Sequence, residues 1–327
     1  LGRMTDPVLA SEGAARLLLG VSPAIVALRD FIARAAPTDA TVLIEGPSGT
    51  GKELVARALH AGSARRGGPF VALNSAALPE SLIETELFGH ARGAFTGATA
   101  PREGKFVQAR GGTLFLDEVG ELPARMQAKL LRALESREVD PLGGMGPVPV
   151  DIRVVAATNR DLDRGVGDGT FRADLLYRLK VLGVRTPRLA GRRPDIPILA
   201  RHFLDETSRR IGRPVDGIDV TAREALVGYD WPGNVRELAN AIERAVVLGN
   251  SRTIGLADLP PEIAAGAIPR VRRVPYTVAV DRLRRQLIET AFADAKGDYR
   301  EAARLLDLHP KSMHRIVRNL GLGHLLK

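Results

Sequence analysis

Residues 41–60 read TVLIEGPSGTGKELVARALH, and this passage decides the fold. A short apolar run, TVLIE, stops at Gly46, and a helical pattern takes over at Leu54. Between them stands Gly-x-x-x-x-Gly-Lys, from Gly46 to Lys52, followed by Glu53. Between a strand and a helix this spacing makes a phosphate loop: glycines let backbone N–H groups converge on phosphate oxygens, Lys52 reaches the terminal phosphates, and the helix N-terminus faces the anion. Gly46, Ser48, Gly49, Thr50, Gly51, Lys52 and Glu53 are therefore the expected ATP-binding residues. The generic motif carries Ser or Thr where this chain has Glu53, so a magnesium ion must lean on another carboxylate.

Outward from that loop, further buried-strand patterns occur at FVALN (70–74), GTLFLDE (112–118) and IRVVAATN (152–159), alternating with helical stretches such as ARMQAKLLRALES. Apolar runs separated by helices predict a parallel sheet covered on both faces. The run GTLFLDE ends in Asp117 and Glu118. Asp117 is placed to hold Mg2+, largely through water, and Glu118 to orient or deprotonate an attacking water; capping the helix that follows is the bland alternative. Asn74 and Asn159 end two other strands, where an amide either meets the γ-phosphate, the water or Glu118, or simply makes a turn.

At 327 residues without cysteine, the chain has the length of about two domains and excludes disulfides and cysteine zinc sites, as expected for a cytoplasmic protein. No apolar run is long enough to span a membrane, and no membrane association is expected. The formal charge of +9 is uneven: residues 270–327 hold 13 Lys/Arg against 6 Asp/Glu, which points to a polyanion near the C-terminus.

The pattern divides the chain into an extension (1–21), an α/β part (22–190), a helical lid (191–259), a Pro-rich linker (260–279) and a C-terminal helical unit (280–327). Ser22 and Pro23 start the first helix, with Ile25, Leu28 and Ile32 on one face; strand signals stop after Pro187. In the last unit Leu283, Leu287, Ile288, Ala291 and Phe292 share a helix face, Gly297 ends that helix, and Asp298 with Glu301 suggests a capping box. A final helix then turns Met313, Ile316, Val317 and Leu320 inward and Lys311, Ser312, His314, Arg315, Arg318 and Asn319 outward. Those outward residue types suit phosphate oxygens and base edges in the major groove of double-stranded DNA; a bundle that only dimerises is the alternative.

Taken together, GPSGTGKE, FVALNSAALPESLIETELFGHARGAFTGA, GGTLFLDEVGELP, LGG, IRVVAATNRDL, FRADLLYRL and WPGNVREL resemble the AAA+ transcriptional activators that work with the sigma-54 form of bacterial RNA polymerase. The likeness covers about residues 20–250, with a Fis-like helix-turn-helix tail after it. It implies an AAA+ P-loop fold with a helical lid and a C-terminal all-α domain. By the same resemblance Asn74 would hold Glu118 until the γ-phosphate is sensed, and Asn159 would be sensor I. Arg172 and Arg178 would reach a neighbouring protomer's nucleotide, and Arg236 would be the lid's sensor II. Gly93, Ala94, Phe95, Thr96, Gly97 and Ala98 would form the loop that touches sigma-54 polymerase, with a second surface loop near Asp140–Pro149. Arginines acting in trans imply a ring, a hexamer by analogy, carrying dimeric DNA-binding units at upstream sites. The implied function is an ATPase that remodels the sigma-54 closed complex; the alternative is a DNA-binding regulator whose AAA+ part mainly oligomerises. Two departures stand out: Pro47 replaces the family's usual Glu, and RTPRLAGRRPDIP replaces its usual hinge sequence. No sensing domain is legible before Ser22, so control is expected in trans or from a segment outside this sequence.

Overall fold

The computed structural model describes residues 18–94, 100–144, 146–267, 276–295 and 297–323. They fall into two compact units divided after Ala267.

The first unit is built on a parallel sheet of five strands: β1 (Val42–Glu45), β2 (Phe70–Asn74), β3 (Thr113–Asp117), β4 (Arg153–Thr158) and β5 (Leu182–Arg185). Their spatial order is β2-β3-β4-β1-β5. Four of these are the apolar runs read from sequence. The fifth, LGVR, lies at the sheet edge with alternate residues half-exposed, so its apolar signal is weak. Side chains alternate across the sheet as strand geometry requires. Val42, Ile44, Phe115 and Val155 pack under the helices α1 (Pro23–Ala35) and α2 (Lys52–Ala61). Leu43, Leu114 and Leu116 pack on the other face, against α3 (Ala124–Ser136) and α4 (Ala173–Leu179).

Helix α1 starts as its sequence predicts, with the Ser22 hydroxyl accepting from the Ile25 N–H at 3.4 Å and Ile25, Leu28 and Ile32 buried. Its other end is closed by an unexpected group. Fully buried Arg153 donates to the carbonyls of Ala35 (2.9 Å) and Ala36 (2.7 Å), and burial pushes its guanidinium down to about 10. A cation on the last carbonyls of a helix satisfies orphan acceptors and opposes the macrodipole.

Near this edge Arg65 donates to Asp39 (2.9 Å) and Asp151 (2.7 Å). The Arg65 hydrogen bond is the main reason both carboxyls sit below the usual range. A depressed folded-state pKa contributes stability above the unfolded carboxylate value and loses it as pH falls through the folded one. Both acids are more than half exposed, so screening keeps the effect small. Arg65→Ala is expected to lower Tm by about 2 °C at pH 7 and by less below about pH 3.5, a difference that thermal scans at the two pH values would read.

The lid comprises α5 (Ile196–Ile211), α6 (Val220–Gly228), α7 (Asn234–Leu248) and α8 (Pro261–Ala267), closed around Leu204, Leu226, Trp231, Leu238 and Ile242. Two readings change here. Strand pairing recurs after Pro187, in the two-residue parallel ladder Gly217–Ile218 with Thr253–Ile254. The stretch expected as a linker contains α8, whose Ile263 is buried in the lid core and which begins at the Pro260–Pro261 pair. Proline at the first helical turn costs no hydrogen bond, so a Pro-rich start conceals a short helix.

The second unit holds α9 (Tyr276–Asp294), α10 (Tyr299–Leu305) and α11 (Pro310–Asn319), packed around Ile288, Phe292, Met313 and Val317. The apolar face predicted for α9 is split. Ile288, Ala291 and Phe292 are buried, whereas Leu283 and Leu287 are 59% and 50% exposed. Asp298 caps α10 by accepting from the Arg300 and Glu301 N–H groups, but Glu301 pairs with Arg304 instead of completing a capping box.

Candidate functional site

The strand ends β1, β3 and β4 open onto a cleft of about 390 Å3, lined by the phosphate loop, Asp117, Glu118 and the lid residues Phe203, Val235 and Arg236. A larger hollow of about 540 Å3 lies elsewhere, between Phe88, Lys129 and Asp140; it bears charges of both signs and none of the loop glycines. We place the chemistry in the smaller cleft, at the carboxyl ends of the strands where open α/β sheets bind ligands.

Gly51 precedes α2 at φ 98°, a left-handed conformation that suits glycine, and no side chain caps the helix. Its first N–H groups point toward the cleft as an anion-binding end. Lys52 is 7% exposed and donates to the Gly46 carbonyl (3.0 Å) and to Glu118 Oε1 (3.2 Å). Glu118 itself sits at φ 52°, ψ 47°. A non-glycine residue in that region costs of order 1–3 kcal/mol, and such strain concentrates at functional sites. The strain is held in place from both sides, by Lys52 on Oε1 and by the Asn159 N–H on Oε2 at 2.9 Å. Burial, then the neighbouring Glu118 charge, raises the Asp117 pKa, while Lys52 pulls it back down.

Asn74 does not meet Glu118, the partner expected for it. Its Nδ2 donates to Asp117 Oδ2 at 3.2 Å, while its Oδ1 accepts from the Ala76 N–H. The register explains this, because Asn74 and Asp117 are paired residues on adjacent strands and Glu118 lies one residue further on. Asn159 reaches Glu118 through its backbone N–H, and its own position is exposed. Glu53 turns to the rim and pairs with Arg57 at 2.6 Å.

From the lid, Arg236 donates to the Ser48 hydroxyl (3.0 Å), the Val235 and Arg236 N–H groups share the Gly49 carbonyl, and Asn234 Nδ2 donates to the Ser48 carbonyl. Buried Asn234 also accepts from the Leu189 N–H, so one amide ties lid, hinge and phosphate loop together. The approach is close enough that a Cβ on Gly49 would lie 2.3 Å from the Gly233 carbonyl. The hinge is the 3-10 stretch Leu189–Asp195, broken at Arg192. Asp195 anchors it, accepting from the Val21 and Ser22 N–H groups and the Ser22 hydroxyl. Sequence reasoning had missed Asn234 and Asp195; the only signal for Asn234 was its place within WPGNVREL.

Arg172 and Arg178 are not among the residues lining this chain's own cleft. Arg172 pairs with Asp174, and Arg178 donates to the Leu134 carbonyl. The stem of the apolar surface loop is defined: Gly89–His90 pairs antiparallel with Arg102–Glu103, and both the Gly89 carbonyl and the Ala91 N–H bond to Leu142. The second loop therefore shares this stem. Gly93 and Ala94 continue from it, whereas Phe95, Thr96, Gly97 and Ala98 lie outside the described residues. In the second unit Lys311, His314, Arg315, Arg318 and Asn319 are exposed on α11 and Ser312 is half-buried.

Among the described residues no helix is long and apolar enough to cross a membrane, and no group of three or more His, Cys, Asp or Glu forms a metal cluster.

Comparison with known proteins agrees with this geometry. Residues 18–185 match the sigma-54 interaction domain and residues 190–273 the AAA+ ATPase lid domain. The transcriptional regulatory protein ZraR of Salmonella typhimurium is 51% identical over 312 residues, 95% of this chain and 70% of that one. The DNA-binding transcriptional regulator NtrC of Azospirillum brasilense is 43% identical over 335 residues, 93% of this chain and 69% of that one. NtrX from Brucella abortus in complex with ATP superimposes with a TM-score of 0.70 at 36% identity, over 93% of this chain and 69% of that one. A phosphate loop, two strand-end acids and a lid closing on one cleft, in a chain matched along most of its length by these regulators, leave one assignment: the chain belongs to the AAA+ family of sigma-54-dependent transcriptional regulators that includes NtrC.

Proposed function

We propose that this protein hydrolyses ATP in a ring and spends the turnover on remodelling the sigma-54 polymerase closed complex, while its second unit holds upstream DNA. The observation that carries the reading is the chain Lys52–Glu118–Asn159 N–H, which aims a strained carboxylate into a cleft floored by phosphate-loop amides.

The residues fit a magnesium nucleotide. Lys52 and the amides around Gly49–Lys52 would hold the phosphates, and Asp117, oriented by Asn74 and the Glu118 N–H, would hold the metal. A single carboxylate suits Mg2+, which keeps several waters and takes phosphate oxygens as further ligands. When bound, the metal neutralises charge on the β- and γ-phosphates. Glu118 takes the proton of the water that attacks the γ-phosphorus; the bond to the ADP oxygen breaks, leaving ADP and inorganic phosphate. Arg236 would reach the phosphates from the lid. Arg172 and Arg178 would serve the next protomer's cleft, which accounts for their absence from the lining of their own. The ring is taken to be a hexamer and the protein cytoplasmic, in keeping with its family.

On the second unit, the exposed basic face of α11 suits a DNA major groove, and exposed Leu283 and Leu287 offer a surface for pairing two such units.

Open-complex formation on a sigma-54 promoter tests the whole reading. It is expected with ATP and absent with a non-hydrolysable analogue; open complexes without hydrolysis would overturn the reading in favour of a regulator that merely oligomerises.

A further inference from the structure

Gln127 lies inside α3, is 1% exposed, and directs its whole amide at three backbone groups. Nε2 donates to the carbonyls of Leu122 (2.9 Å) and Thr170 (3.0 Å), and Oε1 accepts from the Arg172 N–H (2.9 Å). Two acceptors on one side and one donor on the other fix the orientation of the amide. Leu122 closes the short turn that leaves Glu118, while Thr170 and Arg172 enter α4. At the far end of α4, Arg178 donates to Leu134, again on α3. The helix carrying both candidate trans-acting arginines is thus fastened at each end to the helix leading away from the strand-end acids. A residue serving only to fill the core at position 127 would be apolar, as Met126 and Leu130 are.

We propose that Gln127 is a positioning residue: it holds α4 in register with the turn after Glu118, so that the state of one protomer's cleft sets the reach of the arginines it presents to the next. This rests on the reading of Arg172 and Arg178 as acting in trans. Misplacing a catalytic group by about 1 Å costs on the order of 10²-fold in rate, so a loosened clamp acts on kcat rather than on nucleotide affinity.

The test is ATPase activity in mixed rings of the full chain. Gln127→Leu alone is expected to bind MgATP with near-parental affinity and to lose about 10²-fold in kcat. Mixed with Glu118→Gln protomers, which hold MgATP without turning it over and keep Gln127 and both arginines, it is expected to exceed the sum of the two separate activities, because its own clefts then receive well-placed arginines. Gln127→Met, close to glutamine in length and free of the charge that a glutamate would set against the Leu122 and Thr170 carbonyls, repeats the measurement. The control replaces Gln127→Leu by Arg172→Ala. No recovery in the control overturns the trans-arginine reading itself. Recovery in the control but not with either Gln127 variant overturns the role given to Gln127, as does loss of nucleotide binding in both Gln127 variants.

Discussion

Glu118→Gln is expected to keep MgATP binding and to lower hydrolysis by roughly 10²–10⁴-fold, the usual worth of a positioned general base. The substitution is nearly isosteric, so the amide oxygen still accepts from the Asn159 N–H and the left-handed backbone at residue 118 is unchanged. What disappears is the carboxylate proposed to take the proton, together with the ion pair to Lys52. Binding should therefore be equal or tighter, because Lys52 no longer exchanges a carboxylate partner for phosphate. Calorimetric titration with MgATP and a phosphate-release assay separate the two effects; parental turnover would remove Glu118 from its role.

Phe95→Ala is expected to give the opposite pattern, with ATPase activity within about twofold and open-complex formation lost. An apolar anchor at the centre of a protein contact is worth about 2–4 kcal/mol on truncation, or roughly 30- to 10³-fold in affinity. The loop is joined to the ATPase core by the Gly89–His90 and Arg102–Glu103 ladder and by Leu142. None of these groups lies in the cleft, so truncating its tip leaves the chemistry in place. Open-complex and phosphate-release assays on one preparation read the split, and full transcriptional activity in the variant would refute the loop's role.

Much of the first unit was legible because strands buried on both faces are nearly continuous apolar runs, and because the phosphate loop needs glycine and lysine at fixed spacing. The edge strand Leu182–Arg185 escaped notice, since it has four residues, none of them fully buried, and only Leu182 and Val184 carry an apolar side chain. Polar positioning groups were harder still. Gln127, Asn234 and Asp195 look like ordinary surface residues in sequence, and only their partners, dozens of residues away in the chain, make burial affordable. The contact of Asn74 with Asp117 shows the same limit: residue type placed an amide at the strand end, but cross-strand register chose its partner. On α9 the periodicity correctly named five apolar residues, yet the turn of the helix left Leu283 and Leu287 outside the core.

The two N–H groups that open α7, Val235 at 2.9 Å and Arg236 at 3.3 Å from the Gly49 carbonyl, also act as a clock. Their exchange with solvent deuterium requires the lid's first turn to part from the phosphate loop, so its rate reports how often the two come apart. A nucleotide that orders the loop would slow exchange at these two amides without touching them. The cleft would thereby write its occupancy into the protection of a helix in the other subdomain.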